Sequence, residues 1–167
     1  DINTYEEAAL ALAEKGYWVI RMGKVVKEPF KVDHPHIFDY ANSEYHSDFL
    51  DLWLFANSHF SLLTTAGIGM VTTLFRRPSA LVNALPLGQI NTTCNLNTIW
   101  LPKKIVWADN KIPLTLKEQI NTGVIGFLST QDYENSKVEL VDNLPVEITE
   151  TVLELEAKLS GKWQSHP

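Results

Sequence analysis

The chain has 167 residues, 45% hydrophobic and 20% charged, with a net charge of -6 and a pI of about 5.3. That length supports one domain with a sizeable core, and the acidic balance argues against a general polyanion binder, so no nucleic-acid partner is expected. The single cysteine, Cys94, cannot close an internal disulfide, and no apolar run approaches the roughly 20 residues that span a bilayer.

Thr4 reads as an N-cap, with Glu6 and Glu7 in a first helical turn where the dipole favours negative charge. Gly16 is placed to stop that helix. Tyr17 to Met22 follows as a strand of aromatic and β-branched residues closed by Arg21. Residues 24 to 37 hold two prolines and two histidines and read as a loop. Ser47 is an N-cap for a helix through Asn57, with Phe49, Leu50, Trp53 and Leu54 on one face. His59 to Thr64 is a short apolar strand, "TTAGIG" a turn, and Met70 to Phe75 a short helix. Ser79 to Ala84 is a further strand, and residues 86 to 103 are loop-rich. Thr115 to Asn121 reads as a helix, Val138 to Val141 as a strand, and Pro145 opens a final helix through Leu159.

Helices alternating with strands too apolar to face water predict an α/β fold with a parallel sheet covered by helices on both faces. The strands from Tyr17, His59, Ser79 and Val138 are expected in that one sheet, with no second core. Ligands bind such sheets outside the carboxyl ends of the strands. Arg21 sits at one such end, with Gly23 behind it in a tight turn. Thr64 to Gly69 sits at another, where Gly67 and Gly69 permit close backbone approach and helix-start amides suit a phosphate. A cation and an anion-binding turn on one edge point to a phosphorylated ligand.

Each of these residues also has a plainer reading. An arginine closing a strand is more often a surface or salt-bridge residue, and Gly-rich turns are common without GxGxxG or GxxxxGK[ST]. "DHPH", Asp33 to His36, lacks the further ligands of a metal cluster, so no metal is expected. Asp48 and Asp51 share a helix face, where Asp48 either caps the dipole or does chemistry. Asn91-Thr92-Thr93 matches a glycosylation sequon, but no secretory signal accompanies it.

Longer strings add a resemblance. "KGYWVIRMGK", "HPHIFDYANSEYHSDFLDLWLFANSHFSLLTTAGI" and "RRPSALVNALPLG" resemble a family of bacterial glycosyltransferases of surface-carbohydrate gene clusters. "LPKKIVW" (101–107), "LTLKEQI" (114–120) and "VELVDNLPVEI" (138–148) continue the likeness over nearly the whole chain. Two departures stand out. Leu63-Thr64-Thr65-Ala66-Gly67 replaces the family's Gly-Thr-x-Ser-Gly, losing a glycine and a serine hydroxyl, and His46 stands where the family tends to have arginine.

The resemblance implies a single Rossmann-like domain over residues 1–167, the C-terminal, donor-binding half of a type-B glycosyltransferase. The chain begins at Asp1, close to a helical pattern, and is expected to be a fragment of a longer protein whose N-terminal half holds the acceptor. The implied partners are a nucleotide-sugar donor and a carbohydrate acceptor. No cofactor is expected, and the implied location is cytoplasmic, at most peripheral to the inner membrane. Arg21 and Gly23, with Thr64, Thr65, Ala66 and Gly67, would hold the diphosphate. Asp48 or Ser47 would meet a sugar or ribose hydroxyl, and Asn83 the nucleobase or ribose side. No general base is assigned to this half. The competing readings are a nucleotide-sugar epimerase-like half and a non-catalytic nucleotide-sugar-binding or assembly domain.

Overall fold

Gly16 sets the entry into the sheet. It takes φ +90° directly after the first helix, and the Tyr17 N–H returns to the Leu12 carbonyl at 3.2 Å, a left-handed exit that glycine makes without strain. The computed structural model describes residues 1–65, 67, 69–89 and 97–165. Helix α1 spans Glu6–Glu14, preceded by a 3-10 turn at Ile2–Tyr5 whose cap is the Asp1 carboxylate. Thr4, expected as the cap, instead donates its hydroxyl to the Asp1 carbonyl at 2.8 Å.

Strand β1 (Val19–Ile20) pairs in parallel with β2 (Ile37–Phe38). Helix α2 (Asp48–Asn57) starts where expected, Ser47 Oγ accepting from the Leu50 N–H at 3.3 Å. Then come β3 (Ser61–Leu63), α3 (Gly69–Leu74), β4 (Ser79–Ala84) and β5 (Thr98–Pro102). Strands β3, β4 and β5 form a parallel sheet in that order, with Ser61, Ser79 and Thr98 aligned across it. Strand β6 (Lys104–Trp107), helices α4 (Leu116–Thr122) and α5 (Thr130–Asn135), strand β7 (Val138–Val141) and helix α6 (Pro145–Leu159) complete the chain.

The architecture is thus mixed α/β with a parallel sheet, as expected, but not one sheet of four strands. Val138–Val141 pairs antiparallel with β6 in a sheet of its own, and among the described residues β1 has only β2 as a hydrogen-bonded neighbour. The reason is local. Strand β7 alternates buried Val138 with exposed Glu139, the pattern of a half-covered antiparallel strand rather than a strand buried on both faces. The tight turn after Trp107, closed by the Lys111 N–H to the Trp107 carbonyl, folds residues 112–114 back onto the other edge of β6.

Two apolar cores result, where one was expected. In the first, Ala8 and Leu12 of α1 and Ile148 and Val152 of α6 pack with Val82 of β4, extended by Tyr17, Val19, Phe60 and Leu62. In the second, Ile105 and Val138 of the antiparallel pair pack with Leu114, Val124 and Tyr133. Helix α4 begins with a capping box between Thr115 and Glu118, and the short α5, which no apolar period announces, places Tyr133 in this core.

The two cores meet at an asparagine clasp. Asn83 donates its N–H to Asn143 Oδ1 at 2.5 Å, and Asn143 donates its N–H to Asn83 Oδ1 at 2.6 Å. Asn143 Nδ2 also reaches the Pro102 carbonyl at 3.0 Å, tying β4, β5 and the start of α6 together. Asn143 is only 3% exposed, so its loss strands buried polar groups. Asn143→Ala should destabilise the fold by about 2–4 kcal/mol, read as a shifted urea midpoint with unchanged slope. A shift below about 0.5 kcal/mol, as at an ordinary surface site, would show the clasp to be dispensable.

Candidate functional site

Strand β1 pairs in parallel with β2 and β3 in parallel with β4, and Arg21 and Thr64 directly follow β1 and β3. Between the two strands lies a cavity of about 770 Å³. Its walls run from Trp18 to Gly23 on one side and from Ser58 to Thr64 on the other, with Ala9 and Leu12 of α1 and Trp53 of α2 closing it. Arg21, Gly23 and Thr64 therefore line one space. Thr65, Gly67, Ser47, Asp48 and Asn83 are not among its lining residues. Ala66 lies outside the described residues.

Arg21 is not a free cation waiting at the edge. Its Nη1 donates to Asp39 Oδ1 at 3.0 Å, its Nη2 to the Glu28 carbonyl at 3.2 Å, and its side chain is 9% exposed. Asp39 also accepts from the Phe30 N–H at 2.8 Å and from Asn42 Nδ2 at 2.6 Å. The salt-bridge reading of Arg21 is the one these distances show. A guanidinium has five N–H donors, so this pairing leaves others for a ligand.

Burial pushes the Asp39 carboxyl up, but the Phe30 N–H, the Asn42 amide and the Arg21 guanidinium outweigh it and hold it below its ordinary value. Sequence reasoning singled out Arg21 and missed Asp39. A signal was present: Asp39 follows Ile37-Phe38 as Arg21 follows Val19-Ile20, and the register Ile20 to Phe38 sets the two polar residues side by side.

Gly23 is required where it stands. Its φ is +155°, and a Cβ there would meet Val26 Cγ1 at 2.7 Å. Gly67 has nothing within 4 Å of an added Cβ, so no steric need for glycine exists at that position. Thr64 and Thr65 are exposed. The helix that follows their turn has only 6 residues, a weak dipole for an anion.

The expected sugar contacts have local partners. Ser47 caps α2, and its backbone N–H and carbonyl both bond the Tyr40 hydroxyl, at 2.9 and 3.2 Å. Asp48 is exposed and pairs with Lys24 at 2.8 Å, whose hydrogen bond and charge lower its carboxyl pKa. Asn83, expected near the base or ribose, spends its side-chain oxygen in the clasp with Asn143. His46, in the arginine position of the resembled pattern, stands with Nε2 3.5 Å from the buried Asp51 Oδ2, and its ring lies 5.5 Å from that of Tyr40. The His36 ring lies 4.8 Å from Trp18 and, edge-on, 5.6 Å from His34, and the His36 N–H bonds His34 Nδ1 at 3.1 Å. Among the described residues no group of three or more acidic, histidine or cysteine side chains is placed to hold a metal ion, and no helix is long and apolar enough to cross a membrane.

Comparison with known protein families, with curated proteins and with solved structures returns no match for this chain.

The depressed Asp39 carboxyl carries a pH signature. A carboxylate lowered in the folded state stabilises fully above its unfolded value near 3.9, and that contribution is lost as pH falls through the folded value. Asp39→Asn should lower stability at pH 7 and flatten the acid limb of the stability curve below about pH 4. Thermal melts from pH 7 to pH 2.5 would read both; parallel curves for the two proteins would contradict the assignment.

Proposed function

We propose that this chain is the donor-binding domain of a glycosyltransferase, gripping the diphosphate of a nucleotide-sugar at the carboxyl edge of its parallel strands. The observation that carries the reading is the shared cavity: Arg21 and Thr64, each just past the carboxyl end of a parallel strand, line one space, and carboxyl ends of parallel strands are where such folds bind ligands. The motif resemblance supplies the choice of nucleotide-sugar over other phosphorylated ligands, and with it the type-B architecture, the two-faced Rossmann-like sheet, the carbohydrate acceptor and a cytoplasmic setting.

In this reading the free N–H groups of Arg21 meet phosphate oxygens while Asp39 fixes the guanidinium plane. Asp39 lowers the net positive charge of the grip, but it removes the entropy cost of ordering a long side chain on binding. The Thr64 and Thr65 hydroxyls donate to the remaining oxygens. The group that deprotonates the acceptor belongs to the opposing half, so the chain by itself binds donor without transferring sugar, because the reactants are not held in line.

A second reading, a non-catalytic nucleotide-sugar-binding or assembly domain, is favoured by Leu63 and Ala66, which replace the glycine and serine of the resembled turn. Both readings require diphosphate binding, and only the first predicts turnover once an acceptor domain is joined to the chain.

Arg21→Ala is a poor test, since it strands Asp39 and destabilises the fold. Thr64→Val with Thr65→Val removes two exposed hydroxyls and leaves the core untouched. Titration calorimetry with UDP, GDP, CDP and ADP should show one preferred ligand, with affinity falling about tenfold in the double variant, the loss of roughly one charge-assisted hydrogen bond. Its melting temperature should stay unchanged. No binding by any of the four, or equal affinity for variant and wild type, would overturn this placement of the diphosphate.

A further inference from the structure

The cavity divides two strands that are otherwise set up to be neighbours. Strand β1 bonds β2 on one side, through the Val19 N–H to the His36 carbonyl at 2.8 Å and the Arg21 N–H to the Phe38 carbonyl at 2.9 Å. Strand β3 bonds β4, the Ser61 N–H reaching the Pro78 carbonyl at 3.0 Å. Backbone groups alternate sides along a strand. The main-chain groups of Trp18, Ile20 and Met22 therefore face away from β2, and those of Phe60, Leu62 and Thr64 away from β4. All six residues line the cavity, and among the described residues β1 and β3 have no ladder between them.

At their amino ends the two strands are held together. The Tyr17 ring packs on Phe60 at 5.4 Å, edge to face, and on His59 at 5.9 Å. Val19 and Leu62 border the same core cluster under α1. Tyr17 beside Phe60 sets a parallel register in which Val19 meets Leu62 and Ile20 meets Leu63. In that register the Ile20 N–H faces the Leu62 carbonyl, and the Thr64 N–H faces the Ile20 carbonyl.

We propose that β1 and β3 are a closable seam, and that a diphosphate bridging Arg21 and Thr64 zips them into one five-stranded parallel sheet of order β2-β1-β3-β4-β5. The coupling to diphosphate rests on the function proposed above; the seam itself does not. A ligand shifts such an equilibrium only through unequal affinity for the two states. The inequality proposed is geometric: Arg21 and Thr64 line the two strand walls of one cavity, and closing the seam draws those walls together around a bridging diphosphate. Closing also gives partners to main-chain donors and acceptors that the open seam leaves to water.

Amide hydrogen exchange followed by NMR reads the seam residue by residue. In the free chain the Ile20, Leu62 and Thr64 amides should exchange at least about tenfold faster than the ladder-bonded Val19, Arg21 and Ser61. Saturation with whichever of UDP, GDP, CDP or ADP binds most tightly should slow those three together by about tenfold and leave the other three unchanged. Equal protection in the free chain, or a bound diphosphate that protects none of the three, would overturn the proposal.

A ligand-free arm separates this from the function. In a Cys94→Ser background, Ile20→Cys with Leu63→Cys should form an intramolecular disulfide under mild oxidation with the far-UV spectrum retained. A bridge needs Cα atoms within about 7 Å, so it reports closure of the seam whether or not any diphosphate binds. Failure to form it in the folded double variant would sink the seam even if calorimetry supports the donor site.

Discussion

The Arg21–Asp39 pair is the constraint on which the candidate site depends. The two residues end neighbouring parallel strands, and their contact at 3.0 Å fixes the carboxyl edge of β1 against that of β2. The same carboxylate takes the Phe30 N–H and the Asn42 amide, and the guanidinium takes the Glu28 carbonyl. One ion pair thereby anchors the proline- and histidine-containing segment between the two strands, alongside the buried Phe30. Removing either partner would leave a buried charge and several backbone groups unmatched, a far larger loss than that of an exposed pair such as Lys24–Asp48.

That constraint shapes the chemistry available. A guanidinium already held by a carboxylate is rigid and oriented for two-pronged contact, but its charge is partly spent. The edge is therefore suited to positioning an anion rather than to attracting one from a distance. The chain's net charge of -6 agrees with that: long-range steering of a nucleotide is not what this surface provides. In the proposed function, the Thr64 hydroxyl and the backbone around Gly23, which line the same cavity, would complete the grip.

Much of the fold was legible because the local signals were strong. The helix Asp48–Asn57 after Ser47, the strand Ser79–Ala84 and the helix Pro145–Leu159 fall where caps, β-branched runs and Pro placement put them. The segments that escaped carry weak or misleading signals. Strand β2 has two residues and is made by pairing with β1 rather than by its own propensity. Strands β5 and β6 flank Lys103 and include prolines and lysines, so tertiary pairing overrides composition.

Strand β7 was recognised as a strand but assigned to the wrong sheet, although Glu139 between Val138 and Leu140 already marked it as half-exposed. At the site, the positions of Arg21, Gly23 and Thr64 were legible because strand ends can be read from apolar runs. The partners of Arg21 and Asn83 were not, because Asp39 and Asn143 come from distant stretches that only the folded chain brings near. Asn83, expected from the sequence beside a base or ribose, has its backbone N–H and side-chain oxygen bonded to Asn143 in the folded chain.

The central claim is that this chain's function sits at the carboxyl edge of β1 and β3. Mapping backbone amide chemical shifts of the nitrogen-15-labelled chain during a nucleoside-diphosphate titration tests it most directly. The account predicts saturable shifts concentrated at Arg21, Met22, Gly23, Thr64 and Thr65, with Asn83, Asn143 and the Tyr133 core unmoved. Shifts centred on the β6–β7 side, or none at any concentration reached, would contradict it.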